Sequence, residues 1–225
     1  MSEPEPLAFL PKSVRDAVLA AAQPVRFVQD ETLFHEGDPS TAAYVITAGQ
    51  VKRVKHSDVG KDIILEVVGP GALLGEMAAL SDQPHDTSAQ ALDEVVAWRI
   101  GASDFRRLMS DGFAGPALAA VVIATLSRRL REAQDEIRGL AVERVERRIA
   151  RTLLKLARTV GHRQGRTLVL NLTLTRQDIA EMTGTTVETA IRVMSQWRRE
   201  GIADTVDSHI VLLDPHRLIA IAEEL

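Results

Sequence analysis

Residues 175–202 read TRQDIAEMTGTTVETAIRVMSQWRREGI, the pattern of two short amphipathic helices about a glycine turn. Thr175 and Asp178 stand three apart, as a capping box requires, and Gly184 to Thr186 supply a tight turn in which Thr186 becomes the next N-cap. Ile179, Ala180, Ala190, Val193 and Met194 fall where the two helices would share a core, which leaves Glu188, Thr189, Arg192, Ser195 and Gln196 more exposed on the second helix. Glu188 and Arg192, four positions apart, lie on one side near the N-terminal half, the part of a recognition helix that enters a major groove. Arginine donates two hydrogen bonds to guanine O6 and N7, and glutamate accepts from cytosine N4. The same spacing also suits an ordinary surface ion pair.

The flanks extend this pattern. Upstream, LAVERVERRIARTLLKLAR (140–158) is amphipathic, with Ile149, Leu153, Leu154 and Leu156 inward. TLVLNLTLT (167–175) reads as a strand and IADTVDSHIVLL (202–213) as a short β-wing, the order of a winged helix-turn-helix. Further upstream, SDFRRLMSD (103–111) is a short helix, and a long one begins near Pro116. Along the long helix Leu118, Val122, Leu126, Leu130, Ala133, Ile137 and Leu140 recur at steps of four and three. That stripe could pack on the preceding domain. A helix of some 25 residues spans about 37 Å, however, more than a small domain covers, so part of it is expected to meet a second copy as a parallel dimer helix. The joint falls near Val142 to Arg144. The expected organisation is α+β: a sensing β-roll over 1–113, a dimerisation helix and hinge over 114–142, and a DNA-binding domain over 143–225.

The first of these is read from short β-rich runs broken by Gly, Pro and Asp: PVRFVQ, ETLFHEGD, AAYVITAGQVKRVKH, DIILEVVGPGALLGE and TSAQALDEVVAWRI. Such spacing predicts a jelly roll or small barrel, with Gly37, Gly49, Gly69, Gly71 and Gly75 at or near the breaks. A plain β-sandwich without a ligand is the alternative.

Composition narrows the function. The 225 residues contain no cysteine, which excludes disulfides, thiolate zinc sites, cysteine-held iron–sulfur clusters and thiol nucleophiles. MSEPEPLAFL (1–10) carries negative charge before a short apolar patch, the wrong sign for a secretory leader, so the cytoplasm is the expected compartment and no membrane the expected partner. The net charge of −4 divides unevenly. Residues 1–142 hold 14 Lys/Arg against 20 Asp/Glu, or −6; residues 143–225 hold 13 against 11, or +2. The mild surplus of positive charge sits in the half expected to meet double-stranded DNA.

TRQDIAEMTGTTVETAIRVM resembles the helix-turn-helix of the CRP/FNR family of bacterial transcription regulators through Thr175, Arg176, Gly184, Glu188, Thr189 and Arg192, and the resemblance runs in order from about residue 24 to 213. It implies a homodimer on a near-palindromic operator, with RNA polymerase as a further partner. By that resemblance Glu188 and Arg192 read central bases of each half-site, while Thr175, Arg176, Thr186 and Thr189 contact the DNA backbone. Val187 stands where CRP-like members carry a base-reading arginine and FNR-like members valine. Ile191 matches neither, since those groups carry glycine and a base-reading serine.

The same resemblance makes GEMAALSDQPHDTSAQAL (75–92) a phosphate-binding turn, in which a Gly-Glu is followed about nine residues later by Arg-Ser. Gly75 and Glu76 match, Glu76 being placed to meet a ribose hydroxyl. Anchoring on Pro84 puts His85 at the arginine and Asp86 at the serine, and a one-residue shift puts Asp86 at the arginine. Either way a permanent bidentate cation is replaced by a mostly neutral imidazole or by a carboxylate. On the long helix, Ala133 and Gln134 stand where cyclic-AMP-responsive members place Thr and Ser against adenine. Cyclic AMP is therefore not the expected effector. Members that bind haem to sense nitric oxide or carbon monoxide leave His35, His56 and His85 as axial-ligand candidates; another small effector, or none, is equally open.

An enzyme would need a constellation that the chain lacks, since no P-loop, nucleophile elbow, HExxH or glycine-framed acid pair occurs in it. The expected function is a sequence-specific transcription regulator, in which an effector or redox event shifts the long helices and reorients the domains about 142–144. A ligand-binding or adaptor protein on the same fold, without DNA binding, is the alternative.

Overall fold

The computed structural model describes residues 10–57 and 62–223; the N-terminal stretch judged above for its charge lies outside them, Leu10 excepted. In chain order the elements are α1 (Lys12–Ala20), β1 (Ala22–Phe27), β2 (Thr32–Phe34), β3 (Ala42–Ala48), β4 (Val51–His56), β5 (Asp62–Val68), β6 (Leu73–Leu74), α2 (Glu76–Ser81), β7 (Ser88–Ala91), β8 (Val95–Gly101), α3 (Ala102–Ser110), α4 (Gly115–Val142), α5 (Val145–Val160), β9 (Gly161–Gln164), β10 (Thr167–Thr173), α6 (Arg176–Thr183), α7 (Val187–Arg199), β11 (Ala203–Val206), β12 (His209–Leu212) and α8 (Pro215–Glu223). They form two units, residues up to 56 with 67–133, and 57–66 with 134–225. No single helix among the described residues is long and apolar enough to cross a membrane.

The first unit is the expected β-roll, its strands drawn from two sheets, β1-β8-β3-β6 and β2-β7-β4 with only the last residues of β5. β3 contributes side chains to both cores. Its residues 42–46, Ala-Ala-Tyr-Val-Ile, are all buried, because one set of alternate side chains faces the other sheet and the other faces helices. Ala42, Tyr44 and Ile46 pack with Leu33, Phe34, Val51, Leu74, Val95 and Ala97 between the sheets. Ala43 and Val45 pack with Val14, Val18, Ile100, Phe105, Leu118 and Val122 beneath α1, α3 and the start of α4. A strand buried on both faces reads as a continuous apolar run, which is how this segment appears in the sequence. At the turn into β4, Gly49 has φ +79, and a Cβ there would lie 2.3 Å from the Glu94 carbonyl oxygen, so only glycine fits.

The long-helix stripe divides. Leu118 and Val122 are buried in the first core and Leu126 is partly buried against it, whereas Leu130, Ile137 and Leu140 are exposed. The exposed Ile123 joins them, and Ile123, Leu126, Leu130, Ala133, Ile137 and Leu140 repeat at alternating steps of three and four, the a/d spacing of a coiled-coil seam.

The second unit is a winged helix-turn-helix. Its core takes Ile149, Ala150, Leu153, Leu156 and Val160 from α5, with Leu154 only half-buried, contrary to its inward assignment: Ala150 rather than Leu154 completes the stripe. Leu170 and Leu172 of β10, Ile179 of α6, Val193, Met194 and Trp197 of α7, Ile210 and Leu212 of β12 and Leu218 of α8 are buried. The sheet runs β11-β12-β10-β9. Asp207 and Ser208 close the β11–β12 wing with φ +48 and +66, the two successive positive values of a type I′ hairpin turn. The sequence reading gave no element to α1, α2, β9 or α8.

Candidate nucleic-acid interface and effector pocket

The helix-turn-helix is held by its own polar groups. The Thr175 hydroxyl accepts from the Asp178 N–H at 3.0 Å, and the Asp178 carboxylate accepts from the Thr175 N–H at 2.8 Å, the reciprocal box expected from the spacing. α6 ends in Gly184 with φ +58, a left-handed cap, and Leu140 comes within 2.7 Å of where a Cβ at Gly184 would stand. Thr186 caps α7, its hydroxyl accepting from the Thr189 N–H at 3.3 Å and donating to the Thr189 hydroxyl. Ile179, Ala180, Ala190, Val193 and Met194 are all buried, as their spacing requires, and Trp197 joins them.

Burial of that face turns Glu188, Ile191, Arg192, Ser195 and Gln196 outward, with Thr189 half-buried at the flank. Glu188 and Arg192 do not pair with each other. Arg192 reaches Glu146 of α5 at 3.6 Å, a long and solvent-exposed contact of little strength. The Glu188 carboxyl is held below the usual carboxylate range by its own backbone N–H and by the Thr186 hydroxyl at the helix N-terminus. Both groups therefore present charge to the outside. Arg176 is half-buried and donates to the Thr205 hydroxyl of β11 at 2.8 Å, which ties the start of α6 to the wing. Burial draws its pKa down, and Asp204 opposes the shift.

Sequence reasoning missed Arg148. From α5 its guanidinium donates to the Thr183 carbonyl at 2.9 Å, to Gly184 O at 3.5 Å and to Glu143 O at 2.8 Å. It thus satisfies carbonyls at the C-terminus of α6, where no intrahelical donor exists and the helix dipole favours a cation. Beside it the buried Glu143 carboxylate pairs with Arg147 and Arg151. No local signal marks these contacts, because an arginine on a charged helix face looks solvent-directed.

In the first unit the altered turn is closely packed. Gly75 has φ +72, and a Cβ there would lie 2.9 Å from Ala42 O and 3.3 Å from the His85 ring. Glu76, 1% exposed, opens α2 and forms an ion pair with Arg129 of α4, which also donates to Leu73 O at 3.1 Å. Ala133 and Gln134 are exposed on α4; the side chain of that helix that reaches Glu76 is Arg129, one turn earlier. His85 is buried and stacked on Phe34, the ring centroids 4.0 Å apart and the planes at 14°. Burial lowers its pKa against the pull of Asp86 and Asp38, so the imidazole is neutral at neutral pH. The next residues are spoken for. Lys55 donates to Asp86 O at 2.8 Å, and Arg53 of β4 approaches the buried Thr87 hydroxyl at 3.3 Å through both Nε and Nη2. Ser88 Oγ accepts from the Glu36 N–H and lies 2.9 Å from His56 Nε2.

The three histidines named as axial-ligand candidates differ in their surroundings. His35 and His56 are exposed, the second engaged with Ser88, and Phe34 covers one face of His85. Among the described residues no group of three or more His, Cys, Asp or Glu is placed to hold a metal ion.

Comparison with known proteins agrees with this architecture. Residues 24–111 match the cyclic nucleotide-binding domain, and residues 147–221 match the Crp-like helix-turn-helix domain. The chain is 31% identical over 187 residues to the cyclic AMP receptor protein of Thermus thermophilus, covering 83% of this chain and 82% of that protein. It is 28% identical over 216 residues to the CRP-like cAMP-activated global transcriptional regulator of Mycobacterium tuberculosis, covering 96% and 92%. A crystal structure of a CRP/FNR-family transcriptional regulator from Thermus thermophilus superposes with a TM-score of 0.74 at 28% identity, over 90% of this chain and 99% of that one. Two matched domains in this order, and a relative of this identity along most of the chain, place the protein in the CRP/FNR family of DNA-binding transcription regulators.

Proposed function

We propose that this regulator acts as a homodimer that reads a near-palindromic operator with α7, and that its pocket answers to an effector other than cyclic AMP, or to none. The observation that carries the DNA reading is the outward face of α7: Glu188 and Arg192 project from a helix whose opposite face is buried and whose N-terminus is capped. Arg192 donates to guanine, Glu188 accepts from cytosine, and Thr175, Arg176, Thr186 and Thr189 hold the backbone. The exposed heptad seam of α4 supports the dimer, which sets two α7 helices about 34 Å apart on successive major grooves. RNA polymerase is the proposed partner on DNA, and the cytoplasm the compartment.

The pocket chemistry supports the second half. A neutral, stacked imidazole stands where the related pockets carry a phosphate-binding arginine, and Glu76 is already neutralised from within by Arg129. A nucleotide phosphate would meet His85 and Asp86 without the counter-charge its burial requires.

Two measurements test this. Selection from a randomised DNA pool by the purified protein should enrich an inverted repeat, and Arg192→Ala should weaken binding to it while leaving random DNA unaffected. No enrichment, or equal loss on both DNAs, refutes the base-reading role. Calorimetry with cyclic AMP and cyclic GMP should show no heat of binding; a saturable isotherm with either refutes the reading of the pocket.

A further inference from the structure

The outward face of α7 carries one large apolar side chain, Ile191, which is 47% exposed among Glu188, Arg192, Ser195 and Gln196. The α7 residues that pack into the core, Ala190, Val193, Met194 and Trp197, are at most 2% exposed, so Ile191 does not belong to that set. Val187, four positions earlier and half-buried, lies on the same side of the helix. The helix therefore presents two parallel strips: a polar one of Glu188 and Arg192, and beside it an apolar one of Val187 and Ile191.

A major groove offers one apolar group to such a strip, the 5-methyl of thymine. A β-branched side chain on a helix holds nearly one χ1 rotamer, so Ile191 loses little entropy when it meets that methyl. Ile191 and Arg192 are both exposed on the side of α7 that also carries Glu188, Ser195 and Gln196. The exposed basic pair Arg198 and Arg199 continues the face toward the C-terminus of the helix and suits a phosphate backbone rather than an apolar protein surface.

We propose that Ile191, flanked by Val187, is a specificity-determining residue that selects a thymine in each half-site by packing on its 5-methyl group, close to the base pair read by Arg192. This rests on the assignment of α7 as the DNA-reading helix.

The test uses the full-length protein and an operator obtained by selection. Each thymine of the half-site is replaced singly by deoxyuracil, which pairs identically and lacks only the methyl. At one thymine per half-site, affinity should fall roughly four-fold, the value of one buried methyl-sized group, and roughly fifteen-fold when both half-sites are changed. Ile191→Ala should bind the thymine and deoxyuracil operators equally, and Ile191→Val should retain part of the discrimination. The proposal is overturned if no thymine is sensitive to the exchange, or if Ile191→Ala keeps the full sensitivity. An Ile191→Ala variant that binds both DNAs as tightly as the parent likewise overturns it. Failure to select any operator, or an operator insensitive to Arg192→Ala, removes the DNA reading itself and is separable from failure at Ile191 alone.

Discussion

At the scale of single residues, the two sites differ in how much their side chains already have to bond. Among the described residues Arg192 holds only a 3.6 Å surface contact, so exchanging Glu146 for a base costs little. Arg192→Ala should weaken operator binding by about 1–3 kcal/mol and relax specificity at one base pair per half-site, read by fluorescence anisotropy on a set of single-base operator variants. Arg176→Ala should weaken binding on all sequences alike, and should also loosen the wing through the lost bond to Thr205. In the pocket the position is reversed. Glu76 is enclosed with Arg129, so Glu76→Ala removes a buried countercharge and should cost about 3–5 kcal/mol in denaturant unfolding, whereas the paired change to Met at both positions should cost less. His85 gives a pH signature with a definite sign. Its folded pKa lies below the ordinary 6.5, so the unfolded chain binds the extra proton first as pH falls. The stability conferred by the neutral ring is complete above about pH 6.5 and declines below it; His85→Phe should flatten that part of a stability–pH curve.

At the scale of elements, the helix-turn-helix was legible in the sequence because everything that makes it is local. Thr175 and Asp178 are three residues apart, Thr186 and Thr189 likewise, and the core positions repeat at helical steps, so caps and faces follow from spacing alone. The strands of the roll were legible for the same reason, through their glycine breaks. Arg129, Arg53 and Arg148 were not, because their partners lie 53, 34 and 35 positions away, and nothing in an arginine's neighbourhood announces so remote a carboxylate, hydroxyl or carbonyl. The α4 stripe was read as one face, yet only its exposed part can be a seam, and Ile123 emerged once the buried Leu118 and Val122 were set apart. Leu130→Glu with Ile137→Glu should therefore shift the protein from dimer to monomer in sedimentation without unfolding either unit. The wing turn makes another prediction. Ser208 occupies a positive φ that glycine adopts freely, and Ser208→Gly should stabilise the second unit by about 0.5–1 kcal/mol in thermal unfolding.

At the scale of the whole molecule, charge and core are both divided. The −6 of residues 1–142 repels a polyanion that the +2 of residues 143–225 attracts only weakly. In the proposed dimer, affinity then comes from a few well-placed cations rather than from a general basic surface. The logarithm of the operator binding constant should fall linearly with the logarithm of salt, the slope counting phosphate contacts, and Arg176→Ala should lower that count by about one per subunit. The double burial of β3 has a consequence for how the molecule opens. Its residues 42–46 close two cores at once, with β8 on one edge and β6 on the other, so no partial opening of the β-roll that spares either core can bring this strand to solvent. In deuterated water its amides should be among the last of the first unit to exchange, and their rate should report the global unfolding of that unit. A bound effector would then declare itself in β3 as a slowing shared equally by every amide of the strand.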